Sequence, residues 1–455
     1  MKRISKSLLL AVLVLFLQAC AVYRPKPINE QAVSKTLSYP DLASIRVIAK
    51  EINHPILKPL NIDFKKGISA QDAAVIAVVT NPALRAERDR RGVVSAQLLQ
   101  AGILPNPTLS YSSDFPIGGN TAGTVTAYGL GLDWDVKALL TRGAKVDAAR
   151  ARAGSVDLDV AWKEWQVAES AKRHVYRLLY LEKQIAVGKR EESELGENLM
   201  AVKKAVDLGD MTVIDLNAVD ATLRKIHSTV LDIEQKQEQE RLALNGILGF
   251  PPNSVIRLAE DIKIPSSEKV PSLQEIMNGL EKRRLDLLAL KMGYKSQEAN
   301  LRAAIRAQFP SINVGFSHAR DNTDVISAGF SVSISLPFFD RNQGKIAIEK
   351  ANRRQLYDEY LNRVYQARAD AAMILANINS VEEQEDSAEK AADALQRLVN
   401  TSYRGFLEGN VDVLSYYNEV DSLFSKKLEV MKLRQDLADL HVALEITAGE
   451  FLDNR

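Results

Sequence analysis

The sequence predicts a mainly α chain with a small transmembrane β part, and three observations carry that reading. Ala, Leu, Glu, Lys, Arg and Gln dominate long tracts while only 6% of the 455 residues are aromatic, the composition of extended helices. Four short segments alternate apolar with small polar residues at period 2. Two nearly Pro-free tracts, 137 to about 206 and 341 to about 405, are each on the order of 100 Å long as helices. A formal net charge of +1 leaves no global field directed at nucleic acid or an acidic substrate.

In chain order, MKRISK is a basic leader, LLLAVLVLFL an apolar run and LQAC a small-residue exit. Leu17-Gln18-Ala19-Cys20 resembles a bacterial lipobox, whose cysteine is lipidated and becomes the new N-terminus; a plain signal peptide or an inert buried cysteine are the other readings. Ala21, where a retained lipoprotein has Asp, favours the outer membrane. Cys20 is the only cysteine, so one chain holds neither disulfide nor thiolate metal cluster. Residues 21 to about 66, with Pro25, Pro27, Pro40, Pro55 and Pro59, read as an extended segment.

The remainder is written twice. GDMTVIDLNAVDATL from Gly209 overlays GNVDVLSYYNEVDSLF from Gly409; AGILPNPTLSYS overlays RAQFPSINVGFS; DVKALLTRGAKVDAA, with Gly143, overlays SLPFFDRNQGKIAIEKA, with Gly344. The expected organisation is a signal peptide 1–19, a lipidated extended segment 20–66, a first repeat 67–250 with a hairpin at 108–136, a linker 251–272 and a second repeat 273–455 with a hairpin at 311–336. Each long helix turns back at its glycine, and Thr212 or Asp412 can cap the returning helix.

In the hairpins Tyr128, Leu130, Leu132 and Trp134 alternate with Gly129, Gly131, Asp133 and Asp135, and Phe330, Val332 and Ile334 with Gly329, Ser331 and Ser333. Strands of about 9–11 residues with one aromatic-rich apolar face suit a membrane barrel. Four strands cannot close one, because spanning barrels need about eight and an open edge in lipid leaves backbone groups unpaired. Oligomerisation is therefore required, and inward Ser and Gly favour three copies, with an open lumen, over two.

These features together resemble the TolC family of outer-membrane efflux proteins: the two halves, NPAL at Asn81, ILPNPTLS and QFPSINVGF entering the strands, SLPFFDRNQGKIAIEKA leaving them, and the glycine turns. The resemblance covers roughly residues 65–450, and LPFFDRNQG is most similar to heavy-metal cation members of the cobalt-zinc-cadmium type. It implies a homotrimer with a 12-stranded barrel in outer-membrane lipid and a helical periplasmic tunnel. It also implies a periplasmic adaptor (membrane fusion protein) and an inner-membrane pump of the resistance-nodulation-division type. The family's gate has aspartates six and nine residues after the second-half glycine; here these are Ser415 and Asn418, while Phe406 takes the aromatic latch position.

Asp215 and Asp412 are the remaining acids near the turns, and Asp412 reads equally as a carboxylate ring or a helix cap. Pro337, Asp340, Gly344 and the first-half Gly143 mark the expected barrel–tunnel joint, with Asp340 as helix N-cap. His54, His174, His227, His318 and His441 are scattered without a second ligand at helical spacing, so no metal site or cofactor is expected. No GxxxxGK[ST], GxSxG or HExxH occurs, so no enzymatic role is expected. An efflux duct is the first reading; a type I protein-secretion channel and a structural periplasm-spanning lipoprotein are the alternatives.

Overall fold

The computed structural model describes residues 22–262, 264 and 270–452, and the chain divides into two units, Met1–Pro40 and Asp41–Arg455. The described part of the first unit holds α1 (Glu30–Leu37), begun by Asn29, whose side chain accepts from the Gln31 N–H. The signal peptide and Cys20 lie outside the described residues. The second unit opens with α2 (Leu42–Lys50), where the Asp41 carboxylate accepts from Ala43 and Ser44. The expectation of an extended segment over 21–66 is corrected: its prolines separate short capped helices, and α2 buries Ile45 and Ala49.

Next come α3 (Ala70–Thr80), capped reciprocally by Ser69 and Asp72, and α4 (Pro82–Gly102). Asn81 of the NPAL motif accepts from the N–H groups of Ala83 and Leu84, and its own amide donates to the Ile247 carbonyl at 2.8 Å. One side chain thus starts a helix and ties it to the far end of the first repeat.

The strands β1 (Thr108–Asp114) and β2 (Ala127–Asp135) are followed by α5 (Lys137–Leu208, 72 residues) and its return α6 (Val213–Ile247). The second repeat runs through α7 (Leu273–Met277), α8 (Leu280–Arg283), α9 (Leu285–Arg306), β3 (Ile312–Arg320), β4 (Ile326–Ile334), α10 (Gln343–Leu407, 65 residues) and α11 (Val413–Ala448). The four strands form one antiparallel sheet in the order β1-β2-β3-β4, so the hairpins of the two repeats pair through β2 and β3. Each strand is joined at its foot to its own helix: α4 enters β1, β2 leaves into α5, α9 enters β3, and β4 leaves into α10.

Helices of this length bury their apolar stripes on one another, α5 against α4, α6 and α9, and α10 against α9 and α11. The largest core gathers Ile45, Ile76, Val175, Leu244 and Val442 where α2, α3, α5, α6 and α11 meet. Beside Ile68 the chain of residues 251–272 adds one parallel bridge, and Gly67 (φ +87°) leaves no room there for a Cβ, which would lie 2.5 Å from the Leu258 carbonyl oxygen.

Candidate functional site

The sheet is a wall with two chemistries. Residues paired across strands lie on one face, so the register places Leu109, Tyr111, Leu130, Leu132, Trp134, Val314, Phe316, Phe330, Val332 and Ile334 together. The other face is a lattice of Ser, Gly and Asp, with the rows Ser110-Gly131-Ser317-Gly329 and Thr108-Asp133-Gly315-Ser331. Its glycines are sized to their neighbours: a Cβ on Gly131 would meet Ser110 Oγ at 2.6 Å, and one on Gly315 would collide with the Asp133 carboxylate and Ser331 Oγ. The apolar face stays uncovered, with Tyr111 70% and Phe330 64% exposed, and β1 and β4 are unpaired on their outer edges among the described residues. An exposed apolar face and two open edges call for lipid on one side and further strands at both ends.

At the foot of the sheet the Ser335 N–H donates to the Ser311 carbonyl, the last bond before Pro337 ends the pairing. Asp340 is corrected as a helix N-cap: its carboxylate accepts from the Asn342 N–H at 2.8 Å, and Asn342 is the cap, at φ +61°, with its amide donating to the Ala304 carbonyl at 2.7 Å. The chain needs a left-handed residue to turn from strand to helix, and Asn is tolerant of that conformation. Gly344 therefore lies inside the first turn of α10. Gly143 likewise lies inside α5, past the junction at Val136, so the matched glycines are not the bend itself. Phe338 and Phe339 of that bend are 70% and 94% exposed.

At the opposite end the two turns share one geometry. Gly209 (φ +82°) and Gly409 (φ +76°) end α5 and α10, and the next residue in each, Asp210 or Asn410, donates back to the carbonyl of Ala205 or Gly405. Thr212 and Asp215 form a capping box with Thr212 Oγ1 donating to Asp215 at 2.7 Å. In the second repeat the pair is exchanged: Asp412 is the cap, accepting from the Ser415 N–H at 2.9 Å and from its hydroxyl. These bonds, the Ser415 hydroxyl foremost, hold the exposed Asp412 carboxyl below the usual aspartate range.

Ser415 and Asp412 are thus brought together, Asn418 is exposed one turn on, and Asp215 lies on the other hairpin. Phe406 stacks on Tyr416 (centroids 5.6 Å, 7° between planes), and Tyr416 meets Tyr403 and Tyr417 at 5.8 and 4.9 Å. Burial pushes the Tyr416 hydroxyl up to about 12. This aromatic group escaped the reading of the sequence, although the adjacent tyrosines of the YYNEV run carry it. A cavity of about 620 Å³ opens beside it between α5, α10 and α11, lined by Arg190, Glu191, Glu194, Tyr403 and Lys427. Burial raises Glu191 there.

Other charged groups are structural. His54 Nδ1 accepts from the N–H groups of Ile56 and Leu57 while Nε2 lies 2.9 Å from the Ala161 carbonyl, which assigns it the neutral Nε2–H form, and burial lowers its pKa. Lys172 is buried between Glu169 and Glu445, with the Phe451 ring 4.8 Å from its ammonium. Among the described residues no group of three or more His, Cys, Asp or Glu side chains could hold a metal ion, and no helix is long and apolar enough to cross a membrane.

Residues 277–450 match the family model for outer membrane efflux protein. The chain is 21% identical over 287 residues to the "Probable outer membrane lipoprotein SilC" of Salmonella typhimurium and 22% identical over 306 residues to the "Cation efflux system protein CusC" of Escherichia coli. These matches take in 60% and 62% of this chain but only 57% and 65% of the relatives' own lengths. A crystal structure of CusC superposes with a TM-score of 0.71 at 18% identity, covering 90% of this chain and 99% of that one. The outer membrane protein VceC of Vibrio cholerae gives 0.71 at 16% identity, covering 84% and 96%. Residues 277–450 are thus similar in sequence to the outer membrane efflux proteins, and the chain as a whole takes the fold of these outer-membrane channels.

Proposed function

We propose that this protein is the outer-membrane duct of a tripartite efflux system, closed as a homotrimer. The observation that carries the reading is the sheet: four strands, apolar on one face and Ser/Gly/Asp on the other, open at both edges and each joined to a wall helix. Three copies supply twelve strands, with the apolar faces toward lipid and the small polar faces toward a water-filled lumen. The long helices continue the wall into the periplasm, where the hairpin tips around Gly209 and Gly409 dock a periplasmic adaptor fed by an inner-membrane pump of the resistance-nodulation-division type.

Heavy-metal cations are the proposed cargo: the name of the relative, "Cation efflux system protein CusC", supports cations, and the resemblance of LPFFDRNQG supports the heavy-metal class; a duct conducts cations without ligating them. Cys20 is the proposed lipid anchor, and no catalytic step belongs to this function. The gate residues proposed are Asp215, Phe406, Asp412, Ser415 and Asn418, with Asp412 serving as the cap that shapes the second-half turn.

The test is the mass of the detergent-solubilised protein together with conductance in planar bilayers. A particle of three chains, each 50.3 kDa less its signal peptide, that forms channels supports the duct. A monomer without conductance refutes it. Metal sensitivity in a deletion strain decides the cargo, and export of a protein instead would favour the secretion reading.

A further inference from the structure

We propose that the foot of the barrel carries an arginine collar that binds the anionic headgroups of phospholipids in the periplasmic leaflet. The inference rests on the outer-membrane reading above. Arg142 lies seven residues after Asp135, the end of β2, and Arg306 six residues before Ile312, the start of β3. With α5 helical from Lys137, 1.5 Å per residue puts Arg142 about 9 Å beyond the apolar band, the depth of a phosphate layer, and Arg306 ends α9 just before the segment that enters β3.

Both arginines are exposed and neither has an acidic partner among the described residues. Arg142 Nε donates to the Gly102 carbonyl at 2.8 Å and Trp134 Nε1 donates to the Pro105 carbonyl at 2.8 Å, so both clasp the segment that enters β1. Between them Ile103 and Leu104 stand 55% and 48% exposed. On α9, Arg302 and Arg306 share the exposed face at i and i+4 while Ala303 and Ala304 are buried, and Phe309, three residues past the helix end, is 61% exposed.

Gly143 brings the two elements together, since a Cβ there would be in ordinary contact with Arg306 Nη1 at 4.0 Å. Asp147 lies 4.0 Å from Arg302 and 3.8 Å from Arg150, Glu298 one turn before Arg302 pairs with Arg353, and among the described residues no ion pair takes up Arg142 or Arg306. Aromatic and aliphatic side chains at the interface with unpaired arginines just beyond them match an acyl chain below a phosphate, and guanidinium recognises phosphate oxygens in pairs.

The test titrates the full-length, detergent-purified protein with dioleoylphosphatidylglycerol or dioleoylphosphatidylcholine and reads bound lipid by native mass spectrometry. The expected result is tighter binding of the anionic lipid, lost about fivefold for each arginine removed in R142Q/R306Q. R142K/R306K keeps the preference, and K203Q/K204Q, the same charge loss far along the tunnel, leaves it unchanged. Equal binding of the two lipids, or an undiminished preference in R142Q/R306Q, overturns the collar. Membrane fractionation separates the two claims: a protein that sits in the outer membrane and conducts, yet shows no preference, sinks only the collar. One absent from the outer membrane sinks both.

Discussion

The turns at Gly209 and Gly409 are copies of one backbone with different interiors. Both end a long helix with a left-handed glycine and start the return with a carboxylate–hydroxyl pair, Thr212 with Asp215 and Asp412 with Ser415, in which cap and third position have traded chemistry. At the 200-residue offset Lys203, Val206, Leu216 and Asn217 become Tyr403, Phe406, Tyr416 and Tyr417. The second-half hairpin is locked by stacked rings, and its Gly405 is crowded by Val411, 2.7 Å from where a Cβ would sit. Both tips leave aliphatic side chains exposed, Leu208 and Ile214 in the first and Leu407 and Leu414 in the second, but Val213 is 62% exposed where the matched Val413 is 6%. Backbone geometry is what the duplication kept; packing is what was free to diverge, and the looser first-half tip is the part expected to move first.

The sharpest way to break this comparison is to remove a ring. Tyr417 is 2% exposed in the cluster that joins both hairpins, so Tyr417→Ala is expected to cost about 3 kcal/mol in chemical denaturation. The matched Asn217→Ala should barely register, and equal losses would remove the distinction between the tips. Next in size are the glycines, which should not differ. Gly209→Ala and Gly409→Ala each force a Cβ into a left-handed residue with open space around it, at about 1–2 kcal/mol apiece. A large inequality would show that the turns are not equivalent.

Thr212→Ala removes one side of a capping box and is expected to cost about 1 kcal/mol, read as faster hydrogen exchange in the first turn of α6. Asp412→Ala should loosen α11 in the same direction and alter cation passage; unchanged exchange and unchanged conductance would remove both roles. Because hydrogen bonds depress the folded Asp412 pKa below 3.8, its contribution is complete above that pH and fades as pH falls through the lower folded value. Exchange at the second-half turn should therefore rise only under strong acid. Ile214→Ala, at an exposed position, should stay within about 0.5 kcal/mol of wild type.

The elements legible in the sequence are those whose signals are local. Period-2 alternation located the strands, because each face meets a different medium along its whole length. Long Pro-free tracts ending in glycine located α5 and α10, because a left-handed cap has few substitutes. Where several residues compete for one role the reading slipped: Asp340, Asn342 and Gly344 all stand at the joint, and only the bond from Asn342 to Ala304 selects the cap. The helices at 30–37 and 42–50 were hidden by prolines that separate elements as readily as they prevent them. The aromatic lock, the Lys172 cluster and the unpaired arginines depend on partners distant in sequence, which no window of residues contains.

The central claim is that one chain supplies a third of a closed barrel, and intermolecular cysteine cross-linking between its two open edges tests it most directly. A cysteine at Tyr111 on β1 would be paired in turn with one at Ala328, Phe330 or Val332 on β4, all on the same face, in a chain whose only native cysteine is Cys20. In outer membranes one register should give covalent dimers and trimers and nothing larger. An absence of intermolecular products in every register, or a ladder continuing beyond three, would contradict it.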